Sequence, residues 1–334
     1  MAKSATQILK EESKNISISK GNSIPPRPKL LTGIAAADYA LDGGIPRGSI
    51  THAFGIEASH KTNFALKCIA SAQSLLPDRV NVFIDLEDSF NSDWAESMGV
   101  DTSKLEVVVP DYAEQAADII AELALSDDLG VMVVDSLAAF QSQNEAESSV
   151  AKMNVGGNSM IITQLTKKLV NNLAQHKHED VPGAVILLNQ MRYKIGVIHG
   201  NPENAPGGKA LAHYAHLNLR FSSKKVNDSK LHPTLPVWAE VKVGLKKWKM
   251  SVNDQQFEYK MTLVDTDLGP AGTIFNAKAV LSRLKQHGLL IKEKDGYTVE
   301  GVNVKGRTQT DLQKQITKDP ELYKTLMGAL GIQV

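Results

Sequence analysis

The sequence predicts an α/β fold: a mostly parallel central sheet between helical layers, followed by a small α+β unit at the C-terminal end. Three observations predict it. From about residue 31 to 190, apolar runs of strand length alternate with stretches of helix length, the pattern of a three-layer core. Runs such as VNVFIDL and VMVVDS carry apolar residues at successive positions, as strands buried on both faces must. At residues 55–63 the segment GIEASHKTN links an apolar run to the start of a helix, the setting a phosphate-binding loop requires.

The elements follow in order. Residues 1–30 are polar, hold a short helix around Ala5–Glu12 and end in the linker-like SIPPRPK. Next come a strand at 50–54, helix 61–74, strand 80–86, helix 91–98, strand 105–109, helix 113–125, strand 131–135, helix 159–175 and strand 184–189. Segments 215–222, 237–243 and 256–264 alternate as antiparallel strands do and are expected to extend the sheet. The last part reads as a helix (274–287), a hairpin turning at Lys294-Asp295-Gly296, and two short helices. The expected organisation is an N-terminal segment 1–30, a core 31–268 and a C-terminal domain 269–334. No internal repeat is visible.

Composition narrows the function classes. A chain of 334 residues with 42% hydrophobic content supports one large core and an appendage. No apolar run approaches the ~18–20 residues of a membrane span, and MAKSATQILK lacks the apolar block of a secretory signal. The single cysteine, Cys68, excludes an internal disulfide and reads as a small buried residue on a helix. A cytoplasmic location without membrane association is expected. Net charge is zero, with 37 basic and 37 acidic side chains, but the charges are segregated. Residues 78–147 hold seventeen Asp/Glu against two Lys/Arg, and residues 192–249 eleven Lys/Arg against three Asp/Glu. A basic stretch of this kind serves either phosphate contacts or solvated loops and strand edges.

The chemistry-bearing residues gather at strand ends. In GIEASHKTN, backbone N–H groups and the helix N-terminus would cradle phosphates, Lys61 would reach the β- and γ-phosphates, and the Thr62 hydroxyl would bind Mg²⁺. The pattern calls for glycine before the lysine, where this chain has His60. VMVVDS ends in Asp135, at the place of a Walker-B acid holding Mg²⁺, with Ser136 available to assist. FIDLED offers Glu87 to polarise an attacking water, with Asp85 and Asp88 as bystanders. Trp94 is either a base-stacking aromatic or a half-buried helix residue. LNQMR leaves Gln190 at the sheet's carboxyl edge as a γ-phosphate sensor or a strand cap. His176-Lys177-His178 reads as a solvated helix end rather than a metal site.

Taken together, LLTGIAAADYALDGGIPRGSITHAFG, GIEASHKTN, FIDLED, VVDSLAAF and NQMRYKIGVIHGNPENAPGGKAL resemble, in order, the core motifs of RecA recombinases. The likeness runs from about Ser19 into the C-terminal domain. The short N-terminus, the lack of an acidic tail and the bulky His60 resemble phage-encoded, UvsX-like members. The resemblance implies a RecA-type P-loop ATPase core and a DNA-dependent ATPase, using ATP and Mg²⁺, that forms a helical homo-polymer on single-stranded DNA and pairs it with homologous double-stranded DNA. Single-strand-binding and loader proteins are its expected partners.

By position, Gly55, Glu57, Ala58, Ser59, His60, Lys61, Thr62 and Asn63 fall on the nucleotide loop, Asn91 and Trp94 at the base, Thr62 and Asp135 at the metal, and Glu87, Lys61 and Gln190 on the catalytic set. Two DNA loops correspond to about 148–157 and 191–209. Lys152, Val155, Gly156, Arg192, Lys194, Ile195, Gly196, Gly207, Gly208 and Lys209 fall within them, and Lys167 lies beyond the first. Val155 and Ile195 take the place of apolar wedges between base triplets. Two of Lys246, Lys247 and Lys249 would reach the neighbouring subunit's ATP, and Ile24 would dock one subunit on the next. His213, Met160 and His199 depart from the family pattern. The loops are rich in Gly and Asn and poor in aromatics, which suits a grip on phosphates that leaves base edges free. A ring-forming helicase of the same fold and a non-hydrolysing mediator are the rival readings.

Overall fold

In a computed structural model of the chain, residues 5–12, 20, 22, 26–141, 157–176, 182–193, 203–204, 208–249, 255–266 and 269–332 are described. In chain order the elements are α1 (Ala5–Glu12), β1 (Lys29–Leu30), α2 (Ala35–Ala40), β2 (Ile45–Pro46), β3 (Ile50–Gly55), α3 (Lys61–Leu75), β4 (Val80–Asp85), α4 (Ser92–Ser97), β5 (Leu105–Val108), α5 (Ala113–Leu123), β6 (Leu129–Asp135), α6 (Gly157–Leu173) and β7 (Ala184–Gln190). There follow β8 (Arg192–Tyr193), β9 (Glu203–Asn204), α7 (Gly208–Tyr214), β10 (Leu217–Asn227), β11 (Pro236–Trp248), β12 (Gln256–Thr262), α8 (Asn276–Gln286), β13 (Leu290–Glu293), β14 (Gly296–Val299), β15 (Val302–Gly306), α9 (Gln309–Lys318) and α10 (Pro320–Ala329).

The central sheet has eight strands in the order β12-β11-β10-β3-β7-β6-β4-β5. The six from β10 to β5 run parallel, and β11 and β12 add antiparallel at one edge. Alternate residues of the buried strands feed opposite layers, as the two-faced apolar runs require. Phe83, Val131, Val133, Ile186 and Leu188 pack with Phe64, Cys68 and Ile69 of α3. Ile84, Met132, Val134, Val185 and Leu187 pack with Ile120 of α5 and Ile162, Leu165 and Leu169 of α6. Cys68 is fully buried, as its place on a helix predicts.

The third apolar cluster comes mostly from the last part of the chain: Val280, Leu281, Leu284, Leu312, Ile316, Leu326 and Met327, with Ala35 of α2 joining it. Asn276 ties the two together. Its side-chain oxygen accepts the Ala35 N–H (2.9 Å) and its amide donates to Gly33 O (2.8 Å).

Sequence reading and structure differ at several elements: α2, α7, β1, β2, β8 and β9 have no counterpart in the reading, β11 runs past 243 to Trp248, and β15 and β10 show why. The hairpin at Lys294-Asp295-Gly296 forms, but a third strand, β15, pairs with β14 where only helices were expected. β10 runs on to Asn227, through polar residues that periodicity alone ends at 222. Its outer positions are held across the sheet by charge: Lys224 faces Glu240 (3.9 Å), and Glu240 also pairs with Lys260 (2.9 Å).

Candidate nucleotide site and DNA-facing elements

β4, β6, β7 and β3 are consecutive neighbours and parallel. Their carboxyl ends therefore open on one edge of the sheet, where ligands of such folds bind. The residues selected from sequence sit there: the loop after β3, Glu87 just beyond β4, Asp135 at the end of β6 and Gln190 at the end of β7.

The loop runs from Gly55 to the first turn of α3. Gly55 lies against β10: a Cβ there would come within 2.5 Å of Phe221 O. Further along, the Ser223 hydroxyl of β10 donates to Ala58 O (2.9 Å). Ala58 and His60 both have left-handed backbones, φ 54° and 66°. This is the physical reason a glycine is expected at position 60. Histidine is among the side chains that enter this region more readily than most. Its Nδ1 meets Asn63 Nδ2 (3.0 Å), and Asn63 Oδ1 accepts the Trp94 Nε1–H (3.0 Å).

The Lys61 ammonium is drawn onto the loop, donating to Ile56 O (2.9 Å), Ser59 Oγ (3.2 Å) and Gly55 O (3.3 Å). Burial lowers its pKa, while Asp135, Glu87 and Glu57 act in the opposite sense. The Thr62 hydroxyl donates to Asp135 Oδ2 (2.6 Å). Burial pushes the Asp135 carboxyl up to about 6 even though that hydrogen bond works against it. A hydroxyl and a carboxylate held together are the hard oxygen donors Mg²⁺ takes alongside phosphate and water. Among the described residues no cluster of three or more His, Cys, Asp or Glu could hold a metal ion by itself.

Glu87 Oε1 accepts from the Ser136 hydroxyl (2.5 Å) and from Gln190 Nε2 (3.1 Å). Ser136, expected to assist Asp135, has its hydroxyl on Glu87. Asp85, expected to stand aside from the chemistry, has a structural role. It is 2% exposed and accepts the backbone N–H groups of Glu87 (3.2 Å), Ser89 (2.9 Å) and Phe90 (2.8 Å), fixing the turn that presents Glu87. A carboxylate followed within five residues by a Ser and an apolar residue is too common a pattern to flag this turn. Asn91 caps α4 by accepting the Trp94 N–H (2.8 Å). His176 is also not a solvated helix end: its side chain is 4% exposed and meets Ala124 O (2.9 Å) and Asp127 (3.2 Å).

A family model, the RecA N-terminal domain, matches residues 6–264. The chain belongs to the RecA family. It is 39% identical over 231 residues to the protein RecA of Aquifex aeolicus, covering 69% of this chain and 64% of that protein. It is 32% identical over 322 residues to the protein RecA of an Arthrobacter species, covering 96% and 87%, and 32% identical over 302 residues to that of Paenarthrobacter aurescens, covering 90% and 82%. The function class is that of a RecA-type recombinase.

Of the residues expected to meet DNA or to depart from the family pattern there, Lys152, Val155, Gly156, Lys194, Ile195, Gly196, His199 and Gly207 lie outside the described residues, as does Ile24. Arg192 lies on β8, which pairs with β9, and Gly208 and Lys209 open α7. Lys167 is exposed on α6, and Met160 is 61% exposed on the same helix. Of the three lysines near the end of β11, Lys246 and Lys249 are exposed. Lys247 donates to Ala212 O (3.0 Å) and to His213 O, at the carboxyl end of α7. No helix among the described residues is long and apolar enough to cross a membrane.

Proposed function

We propose that this chain is an ATP-driven recombinase that polymerises on single-stranded DNA and exchanges it into homologous double-stranded DNA. The observation that carries the reading is the set Lys61, Thr62, Asp135, Glu87 and Gln190, supplied by neighbouring strand ends to one sheet edge, with Glu87 held by Gln190 and Ser136. ATP with Mg²⁺ would supply the phosphoanhydride whose hydrolysis drives release. Lys61 exchanges its carbonyl partners for the β- and γ-phosphates, and Thr62 and Asp135 hold the metal. Glu87 orients a water and receives its proton. Gln190 connects that carboxylate to the residues that follow, where the second DNA loop (about 191–209) begins. A nucleotide bound at the edge thereby biases the DNA-holding state.

In this reading 1–30 is the docking segment, 31–268 the ATPase core and 269–334 an appended domain. Lys152, Val155, Gly156, Lys167, Arg192, Lys194, Ile195, Gly196, Gly207, Gly208 and Lys209 hold DNA. Lys246 and Lys249 are the better placed to reach a neighbour's ATP, since Lys247 is engaged within the chain. The working compartment is the cytoplasm, and single-strand-binding and loader proteins are the expected helpers. A UvsX-like, phage-encoded affiliation has only the sequence resemblance behind it, and the relatives described above are bacterial. The decisive experiment is strand exchange between homologous DNAs with and without ATP. Joint molecules that form equally well without nucleotide, or not at all with it, would overturn the reading.

A further inference from the structure

Residue 60 has a left-handed backbone, which is unfavourable for a side-chain-bearing residue, yet it opens the helix of the nucleotide loop. What holds it is a chain of three side chains whose hydrogen positions follow from their chemistry. Trp94 Nε1 can only donate, so the Asn63 atom it meets at 3.0 Å is the amide oxygen. The Asn63 amide nitrogen must then donate to His60 Nδ1 at 3.0 Å. His60 is thereby set as the neutral tautomer with its hydrogen on Nε2. Among the described residues that Nε2 is buried without a hydrogen-bond partner. The order and polarity of the chain are therefore fixed from Trp94 inward to the loop. Asn63 is 8% exposed and Trp94 packs against the main core, so the bonds are sheltered from competing water.

We propose that Trp94 and Asn63 are positioning residues for the phosphate loop: the Trp94–Asn63–His60 relay holds the left-handed turn that glycine would otherwise adopt unaided. Trp94 then acts on the phosphates through its indole N–H, independently of any stacking of its ring on a base. This deepens the reading of the site as an ATP site and rests on it. The relay also explains how a histidine works at position 60: the asparagine one turn into α3 and the tryptophan of α4 together supply what the backbone lacks.

The test separates the N–H from the ring. Trp94→Phe keeps an aromatic face and removes the donor. Binding of Mg·ATP and of Mg·tripolyphosphate, which has no base, is measured by calorimetry for wild type, Trp94→Phe, His60→Gly and the double variant, with thermal melts alongside. Loss of one sheltered neutral hydrogen bond predicts about three- to tenfold weaker binding of both ligands by Trp94→Phe. In the His60→Gly background the same change should cost less than about twofold, because that loop needs no relay. Asn63→Ala, which leaves Trp94 intact, should copy Trp94→Phe on both ligands. Weakening confined to ATP would assign Trp94 to base stacking alone and overturn the relay. Equal losses with and without His60→Gly would overturn it too. A wild-type protein that binds neither ligand would overturn the ATP reading itself, and the relay with it.

Discussion

Glu87 shows how much one side chain depends on its neighbours. Its Oε1 takes two hydrogen bonds, from Ser136 and Gln190, and its backbone is pinned by Asp85. Glu87→Gln removes the charge that would accept a proton from water and keeps the size. Steady-state ATP hydrolysis should therefore fall at least a hundredfold, the scale of a positioned general base, while ATP and DNA binding persist and filaments last longer on DNA. Unchanged turnover would move the role elsewhere. Lys61→Ala should abolish tight ATP binding, because no other cation among the described residues is seated on the loop's carbonyls; equilibrium nucleotide binding checks it. His60→Gly exchanges a hydrogen-bonded turn for an intrinsically permitted one. ATPase activity should change by less than about tenfold, ~1.4 kcal/mol, and a much larger gain would mean that the natural loop is impaired.

Among the elements, β10 has a double duty. Its first half pairs with β3 and backs the nucleotide loop through Phe221 and Ser223, and its whole length pairs with β11, which carries Lys246 and Lys247 and leads into Lys249. The turn between β1 and α2 shows a different economy. Asp38, 1% exposed, accepts the Thr32 N–H (2.6 Å) and the Thr32 hydroxyl (2.7 Å). Burial outweighs both bonds and pushes its carboxyl up to about 7. A raised carboxyl keeps its proton when folded and releases it on unfolding, so its contribution to stability is present below the ordinary Asp value near ~4. That contribution is lost as pH rises toward about 7 and stays constant above it. Asp38→Asn retains an acceptor and cannot titrate. Urea unfolding of both proteins should show wild type losing stability relative to the variant between those limits, by at most ~1.4 kcal/mol per pH unit. A difference that is flat with pH would sink this account.

The proposed second DNA loop calls for a test of another kind. If 191–209 grips a strand through phosphates, Arg192→Ala should weaken binding to all sequences alike. The slope of log K against log salt should then flatten by about 0.7, the share of one phosphate on a single strand. Ile195→Ala removes no charge, so the slope should hold while strand exchange suffers. A salt titration of fluorescent single-stranded DNA with a non-hydrolysable ATP analogue reads both. An Arg192→Ala protein with unchanged affinity and slope would mean that DNA binds elsewhere.

For the whole molecule, the question is assembly. Helix α1 carries Ile8, an apolar side chain left 48% exposed. Removing residues 1–25, which ends before β1 and the buried Leu30, or Ile24→Asp, should leave a folded core that sediments as a monomer, since burying an unpaired carboxylate in an apolar pocket is costly. If ATP is shared between subunits, DNA-stimulated hydrolysis is lost together with polymerisation. Normal hydrolysis by a strictly monomeric truncation would contradict the shared site.

By itself the sequence determined the parallel core, because strands buried on both faces read as near-continuous apolar runs, as Val131–Val134 and Val82–Ile84 do. It also determined the candidate loop, Asp135, Glu87 and Gln190, because each lies at a strand's carboxyl end within a motif of fixed spacing. Only the tertiary structure decided the partners of these groups. Ser136 turns to Glu87 across two neighbouring strands, and Asp85 closes a turn. Asn63 joins a loop to a helix some thirty residues away, and Lys247 is held by the end of α7. Strand β15 and the polar second half of β10 were likewise illegible, since pairing with a neighbour rather than any periodicity of their own makes them strands. The reason is the same in each case. A motif records what a short stretch of chain can do locally, whereas a hydrogen bond between distant residues exists only once packing has brought its two ends to about 3 Å from each other.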